Sequence, residues 1–296
     1  MKFGWILPNN WGVQRAADLI DLGVRAEALG YDSVWVNHHV LNVGYVEERL
    51  GDRPYYDALT TLTWIAARTE RLRLGTSVLV LPYLNPLVLA KTVATLDVYS
   101  GGRVNLGVGV GSLPAENRAL GSDYASRGAY ANESIQVMRE LWTAPEPAFR
   151  GRFFRFDGVK FAPKPLQPGG VPILVGGGSR AALVRCARLG DGWHPMNAPL
   201  ALLRERIREL RRLWSEHGRG SQPRIVARCE VDLLDEPAVE RSAPIVGTTE
   251  QLLESIAEYQ QIGVSELALS TSTGDADRIR RLQEQFATRV IPHATS

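Results

Sequence analysis

The sequence predicts an α/β fold of the (β/α)8 TIM barrel type, with an insertion before the fifth strand. Short apolar stretches alternate eight times with stretches of helical periodicity. The strand-like stretches are apolar almost without interruption, as is typical of parallel strands that helices cover on both faces. Glycines and polar residues cluster where these strands end, which is the edge at which such barrels carry their sites.

The eight predicted units follow one another along the whole chain. The predicted strands are Lys2–Leu7, Asp32–Val36, Leu72–Leu81, Arg103–Val110, Ile173–Val175, Gly192–His194, Ile225–Val231 and Glu266–Leu269. The predicted helices are Ala16–Leu29, Ala58–Arg68, Pro86–Tyr99, Tyr130–Trp142, Ala181–Leu189, Leu200–His217, Glu250–Ile262 and Ala276–Val290. We expect residues 1–296 to form a single barrel domain.

One segment breaks the alternation. Residues 145–172 are rich in Pro, Gly, Phe and Arg and contain strand-like pieces at Phe153–Phe156 and Val159–Pro163, which predicts an insertion. An open doubly wound sheet is the alternative fold. It would require a glycine-rich fingerprint after the first strand and an acidic residue near the end of the second, and the sequence has neither.

The composition narrows the class of partner. The chain has 34 basic and 32 acidic residues, a net charge of +2, so no nucleic-acid or anionic membrane surface is indicated. Cys186 and Cys229 lie far apart, which disfavours a disulfide framework or a cysteine metal site and fits a reducing compartment. The apolar run at the N-terminus is too short for a signal peptide, and no stretch reaches the length of a membrane span. We therefore expect a cytoplasmic protein that binds small molecules.

The segment Pro172–Arg180 predicts a strand, a glycine turn and a helix in succession. Gly176, Gly177 and Gly178 allow several backbone N–H groups to converge, and a helix that begins near Ser179 adds the positive end of its dipole. This arrangement suits a phosphate group of a cofactor or substrate. The alternative is a tight connection with no ligand.

Several residues at the predicted strand ends could carry chemistry. They are Asn9, His38, His39, Ser77, Gly111, Ser112, Gly176 to Ser179 and His194. The pair His38 and His39 can exchange protons near neutral pH, and we expect only one of the two to face the barrel mouth, because adjacent extended residues point to opposite sides. The alternative is that both only accept or donate hydrogen bonds within loops.

Other site classes lack their residues. The first strand carries no metal-ligand side chains, no Gly-x-Ser-x-Gly elbow is present, and Glu116 stands nearly alone, without the second carboxylate of a glycosidase. A rim poor in acids and bases and rich in glycines suits a flat, phosphate-bearing cofactor that supplies the chemistry itself.

Five fragments resemble the luciferase-like monooxygenase superfamily, which includes the bacterial luciferase-like flavin enzymes and the coenzyme F420-dependent oxidoreductases. They are Ala28–Trp35, Leu74–Val78, Ser100–Gly111, Pro172–Gly178 and Gly190–Trp193, and the similarity covers essentially the whole chain. The insertion also resembles the one that these enzymes carry before the glycine strand.

The resemblance implies roles for individual residues. His39 matches the rim histidine that orients or protonates a reacting group beside the flavin ring. The Ser77–Val78 peptide matches a bond that is often cis behind the ring. Gly111 matches a backbone contact to the cofactor, and the phosphate contacts fall on Gly176, Gly177, Gly178 and Ser179.

The resemblance also implies cofactors and partners. The expected cofactor is coenzyme F420 (F-420, 8-hydroxy-5-deazaflavin) with hydride transfer to or from a small organic substrate; the alternative is FMN in a two-component monooxygenase with a separate reductase. A non-redox lyase or isomerase with a phosphorylated substrate and a binding-only relative are further alternatives. Ser112 stands where the sugar-phosphate dehydrogenases of the superfamily carry a catalytic Glu, so sugar-phosphate oxidation is not expected. A homodimer is implied as well.

Overall fold

The protein is a closed barrel of eight parallel strands. A computed structural model describes residues 1–238 and 245–294. The barrel strands, β1 to β8 in chain order, are Lys2–Ile6, Ser33–Val36, Arg73–Thr76, Val104–Gly109, Ile173–Gly176, Gly192–His194, Arg224–Leu233 and Glu266–Ser270. Each strand pairs in parallel with its neighbours in sequence, and β8 pairs with β1, which closes the barrel. Closure excludes the doubly wound alternative, and the predicted fold is confirmed.

Eight helices cover the outside of the barrel. In chain order, α1 to α8 are Ala16–Ala28, Ala58–Ala66, Pro86–Tyr99, Arg127–Thr143, Arg180–Leu189, Leu200–Glu216, Thr249–Ile262 and Ala276–Arg289. Their ends carry the expected signals. The helix α7 begins with a capping box between Thr248 and Gln251 and ends at Gly263, whose φ is +95°. The predicted bounds differ from these by at most a few residues at each end, because the periodic apolar face marks the middle of a helix better than its caps.

Two apolar layers hold the barrel together. Ile6, Trp35, Leu174, Val226 and Ala268 fill its interior, and a larger cluster lies between the strands and the surrounding helices. The indole of Trp35 is completely buried, and its Nε1 donates a hydrogen bond to Ser33 Oγ at 2.7 Å. The interior is therefore a packed core, and ligands can be held only at its ends.

The third strand is interrupted at the mouth of the barrel. The predicted strand Leu72–Leu81 is divided into Arg73–Thr76 and the short strand Leu79–Val80, and the Ser77–Val78 peptide between them is cis. Leu79–Val80 still pairs with β4. The Ser77–Val78 peptide therefore lies between the two strand segments, at the end of the barrel.

The insertion before β5 contains a small hairpin. Phe149–Arg150 pairs antiparallel with Arg155–Phe156. The second strand-like piece, Val159–Pro163, is not a strand, and its Ala162–Pro163 peptide is cis. A proline at this position removes a backbone donor, which explains why an apolar pattern alone was misleading there.

Two short helices over the barrel mouth were not predicted. They are Tyr45–Leu50, after β2, and Pro114–Ala119, after β4. The remaining described elements are the short helices Ile291–Ala294 and Leu81–Tyr83, the latter a 3-10 turn, and a short strand, Ile245–Gly247, that pairs in parallel with β7. None of the helices in the described ranges combines the length and apolar character that a bilayer crossing requires.

Candidate functional site

A cavity of about 350 Å³ opens at the carboxyl ends of the strands. Most of the sequence-predicted site residues line it, and Asn9, Gly178 and His194 do not. Those that line it are His38, His39, Ser77, Val78, Gly111, Ser112, Gly176, Gly177 and Ser179. The wall also contains residues that sequence reasoning did not single out: Asn10, Asn37, Tyr45, Arg49, Tyr55, Val80, Gly109, Val110, Ala182, Arg185, Met196 and Arg228. The cavity runs between the histidines after β2 and the glycine turn after β5.

His39 is held from both sides of its ring. Its Nδ1 lies 2.6 Å from Glu116 Oε2, and its Nε2 lies 2.8 Å from the Tyr45 hydroxyl. Glu116 is fully buried and also accepts hydrogen bonds from the backbone N–H groups of Val40 at 2.6 Å and Leu41 at 3.1 Å. Glu116 therefore fixes both the ring and the loop that carries it, and its partners are a histidine and two backbone N–H groups rather than a second carboxylate.

The charge of Glu116 determines the tautomer of His39. Burial raises the pKa of this carboxyl, but the hydrogen bonds from His39, Val40 and Leu41 outweigh burial and leave the pKa below its ordinary value. An ionised carboxylate only accepts hydrogen bonds, so Nδ1 carries the proton that it donates to Glu116. The lone pair of a neutral His39 is consequently on Nε2, beside Tyr45.

His38 also lines the cavity, so the expectation that only one of the two histidines faces the mouth is wrong. Its Nδ1 accepts a hydrogen bond from the backbone N–H of Val80 at 3.2 Å. Burial lowers the pKa of His38 to about 4, so this ring is neutral near pH 7. His38 thus ties the loop after β2 to the segment after the Ser77–Val78 peptide.

His194 lies inside the barrel, beneath the Ser77–Val78 peptide. Its ring stacks on Trp35 with centroids 5.0 Å apart, and Nδ1 donates to the Val226 carbonyl at 2.7 Å. Because the pKa of this fully buried ring is lowered to about 3, Nε2 is an acceptor and the Ser77 hydroxyl donates to it at 2.9 Å. His194 supports Ser77 from below and does not line the cavity.

Two other rim candidates do not reach the cavity wall. Asn9 is completely buried, where its side chain binds the backbone of Asn37 and Tyr56. Gly178 is exposed beyond the turn. Both positions follow strands, which placed them at the rim, but their orientation depends on the loop that follows.

The glycines of the rim leave room for neighbouring groups. A Cβ on Gly176 would lie 3.0 Å from Val78 Cγ1, and one on Gly111, where φ is +75°, would lie 2.8 Å from Val80 Cγ1. Larger residues at these places would push the Ser77–Val78 segment out of position. The glycines are therefore needed for the shape of the cavity wall.

The predicted turn has the geometry of a helix start. The Ser179 hydroxyl accepts a hydrogen bond from Ala182 N at 3.2 Å, so Ser179 is the N-cap of α5, as the sequence indicated. The backbone N–H groups of Gly178 and Ser179 donate to no acceptor among residues 1–238 and 245–294. Arg185 adds a positive charge at this end of the cavity, where its Nε donates to Asn132 Oδ1 at 2.6 Å.

The remaining cysteine and histidine side chains lie outside the cavity, and the potential metal ligands of the described chain are dispersed. Cys186 and Cys229 are buried and free. Within the described residues, no group of three or more His, Cys, Asp or Glu side chains is placed to hold a metal ion. His217 and His293 are exposed.

These features define a class of protein: a TIM barrel with a cavity at the strand ends, a proton-handling histidine at one side and a glycine turn before a helix at the other. A sequence profile of the luciferase-like monooxygenase family matches residues 1–238. The chain belongs to this family.

Individual relatives agree with the assignment. The F420-dependent glucose-6-phosphate dehydrogenase of Amycolatopsis mediterranei is 37% identical over 180 residues, which are 60% of this chain and 52% of that protein. This chain therefore spans about half the length of that relative. Among solved structures, monooxygenase RslO1 from Streptomyces bottropensis matches with a TM-score of 0.84 at 23% identity over 99% of both chains. An F420-dependent secondary alcohol dehydrogenase, solved with an F420-acetone adduct, matches with a TM-score of 0.81 at 19% identity over 99% of this chain and 98% of that one. At these identities the two structures establish the shared fold.

Proposed function

We propose that this protein is an F420-dependent oxidoreductase that transfers hydride to or from a small organic substrate. The observation that carries the proposal is the placement of His39 and the Ser77–Val78 peptide on the wall of one cavity that ends at the glycine turn. The F420 dependence named for the Amycolatopsis relative favours this cofactor.

The residues at the rim fit such a cofactor. The Ser77–Val78 segment offers a backbone surface for a flat ring, and the glycines at 109, 111 and 176 keep the wall beside it free of side chains. The N–H groups of Gly178 and Ser179 and the start of α5 would hold a phosphate, with Arg185 supplying a positive charge nearby. When bound, the deazaflavin supplies two-electron hydride chemistry.

The protein itself manages the proton that accompanies hydride transfer. The lone pair on His39 Nε2 can accept a proton from a substrate hydroxyl, and the protonated ring can return it in the reverse direction. Glu116 keeps Nδ1 protonated and stabilises the imidazolium that forms. The Tyr45 hydroxyl, at 2.8 Å from Nε2, occupies the place of a substrate hydroxyl or passes the proton onward. Tyr45 as a residue is 44% exposed, so its side chain can move aside.

An anaerobic titration with oxidised and reduced F420 and FMN, followed by fluorescence, tests the proposal. Tight binding of F420 alone is the expected result. Preference for reduced FMN would instead support a monooxygenase fed by a separate reductase. Binding of neither, with binding of sugar phosphates, would support a lyase or isomerase. The homodimer and the reductase stay predictions of the family resemblance.

A further inference from the structure

Two guanidinium groups without a carboxylate partner line the cavity near His39. Arg49 comes from the short helix Tyr45–Leu50, and Arg228 comes from β7. Neither forms an ion pair with any residue that the structure describes, and the Nε of each is enclosed without an acceptor. Arginines held this way are unusual, because enclosed charges are normally paired.

The guanidinium of Arg228 is held in place by a hydrogen bond on one side, and its other side has no hydrogen-bond acceptor among the described residues. Its Nη1 donates to Asn37 Oδ1 at 2.6 Å, and Asn37 Nδ2 in turn donates to Asn10 Oδ1 at 3.0 Å. Its Nε and Nη2 donate to no described residue. These two N–H groups form a planar edge of the guanidinium, which matches the two oxygens of a carboxylate.

Arg49 and Tyr55 line the cavity together with Arg228, and we call these three residues the arginine cluster. The Arg49 guanidinium lies 4.8 Å from the ring centre of Trp11 and donates no hydrogen bond to the described chain. The Tyr55 hydroxyl is also enclosed, without a hydrogen-bond partner in the part of the chain that the structure describes. Burial raises the pKa of Tyr55, while the positive charges of Arg49 and Arg228 act in the opposite direction. The phenol stays neutral and can donate a hydrogen bond.

The arginine cluster lies beside the proton-handling group. The rings of Tyr55 and His39 are 6.0 Å apart between centroids, and the Glu116 carboxylate is already engaged by His39 and two backbone N–H groups. Arg228 and His39 line the same cavity, so a ligand anchored on Arg228 would share that cavity with the proton-handling group. The glycine turn at the other side of the cavity is left for the phosphate.

We propose that Arg49, Tyr55 and Arg228 form a subsite for the carboxylate of the substrate, so that the substrate class is small carboxylic acids with a reducible or oxidisable carbon near the carboxylate. This inference rests on the proposed function, since it assigns the substrate end of the same cavity. The planar donor edge of Arg228 matches a carboxylate but also matches two oxygens of a phosphate, so inorganic phosphate is the competing ligand in the test.

Matched pairs of acids and amides test the subsite on the cofactor-free protein. Benzoate and benzamide, and butyrate and butyramide, are titrated by isothermal calorimetry or ligand-observed NMR, together with inorganic phosphate. The acids are expected to bind about 10- to 100-fold more tightly than the amides, as for a charge-assisted bidentate contact. Arg228→Met and Arg49→Met are expected to remove the preference, and Arg228→Lys to keep part of it. Arg208→Met, on the exposed face of α6, removes the same charge and is expected to change nothing.

Circular dichroism and an F420 titration of the same variants separate the possible results. Equal binding of acids and amides to a wild-type protein that binds F420 would overturn the subsite while the proposed function stands. Tighter binding of inorganic phosphate than of the acids, lost in Arg228→Met, would also overturn the carboxylate subsite. So would a wild-type protein with no preference for acids whose Arg228→Lys variant binds F420 more weakly. An acid preference that depends on Arg228 in a protein that binds no F420 would support the subsite and refute the proposed function.

Discussion

The imidazole of His39 and the carboxylate of Glu116 lie 2.6 Å apart, although 77 residues separate them in the chain. Glu116 reaches His39 because the short helix Pro114–Ala119 folds over the end of β4. A buried carboxylate on Nδ1 selects the tautomer with its lone pair on Nε2. The pair therefore has the parts of an acid–base catalyst.

Replacing Glu116 with Gln is expected to lower kcat by about 10- to 100-fold, with less effect on KM, because proton transfer loses its electrostatic support. The shape of the pH–rate profile should change as well, since a neutral amide no longer offsets the positive charge that forms on the ring during proton transfer. Steady-state kinetics across pH measure both effects. Glu27→Gln is the matched control, because Glu27 accepts backbone hydrogen bonds from Glu70, Arg71 and Leu72 away from the cavity. A pH profile unchanged in Glu116→Gln would contradict the positioning role.

Replacing His39 with Ala tests the proton-handling role directly. Turnover is expected to fall by about 10²- to 10⁴-fold, the range that general acid–base catalysis contributes. Cofactor binding, followed by fluorescence, is expected to be retained. His293→Ala serves as a control, since His293 is exposed. An unchanged rate with intact cofactor binding would remove His39 from the mechanism.

The glycine turn offers a pair of adjacent test positions. At Gly177 φ is +97°, so Ala there should cost about 1–2 kcal/mol and weaken cofactor binding by displacing the N–H groups that follow. At Gly178 an added Cβ meets nothing within 4 Å, and Ala is expected to be tolerated. Urea denaturation and the F420 titration compare the two variants. Equal cofactor affinity in Gly177→Ala and the wild type would show that the turn is only a connection.

His38 predicts a loss of stability in mild acid. The pKa of His38 is about 4 in the folded protein against 6.5 ordinarily, so the unfolded chain takes up a proton between these values that the folded chain does not. The free energy of unfolding should therefore fall as the pH drops from about 6.5 toward 4, by about 1.4 kcal/mol per pH unit for this proton. Above pH 6.5 the contribution of His38 is constant.

Urea unfolding at a series of pH values measures that slope. His38→Asn can still accept the Val80 N–H and should reduce the slope by the equivalent of one proton. His217→Asn, a change at an exposed position, is the control and should leave it unaltered. If the free energy of unfolding depends on pH with the same slope in the wild type and in His38→Asn, His38 has the same pKa in the folded and unfolded states and the prediction is wrong.

The sequence by itself determined the eight strand–helix units, the insertion before β5 and the turn that ends at the Ser179 N-cap. These features depend on local chemistry: apolar periodicity, glycine at a turn and a hydroxyl before a helix act within a few residues. The strand ends also placed His39, Ser77, Gly111 and Gly176 on a common rim, because parallel strands end at the same edge.

The tertiary structure alone decided which rim residues meet. Arg228 and Asn37 are 191 residues apart, yet they share a hydrogen bond. Glu116 contacts His39 from a short helix that the apolar periodicity of the sequence does not predict. His194 and Asn9 occupy strand ends as predicted but turn into the protein. The direction of each side chain at the rim follows from barrel closure and loop path, which depend on contacts between distant segments and leave no local signal in the sequence.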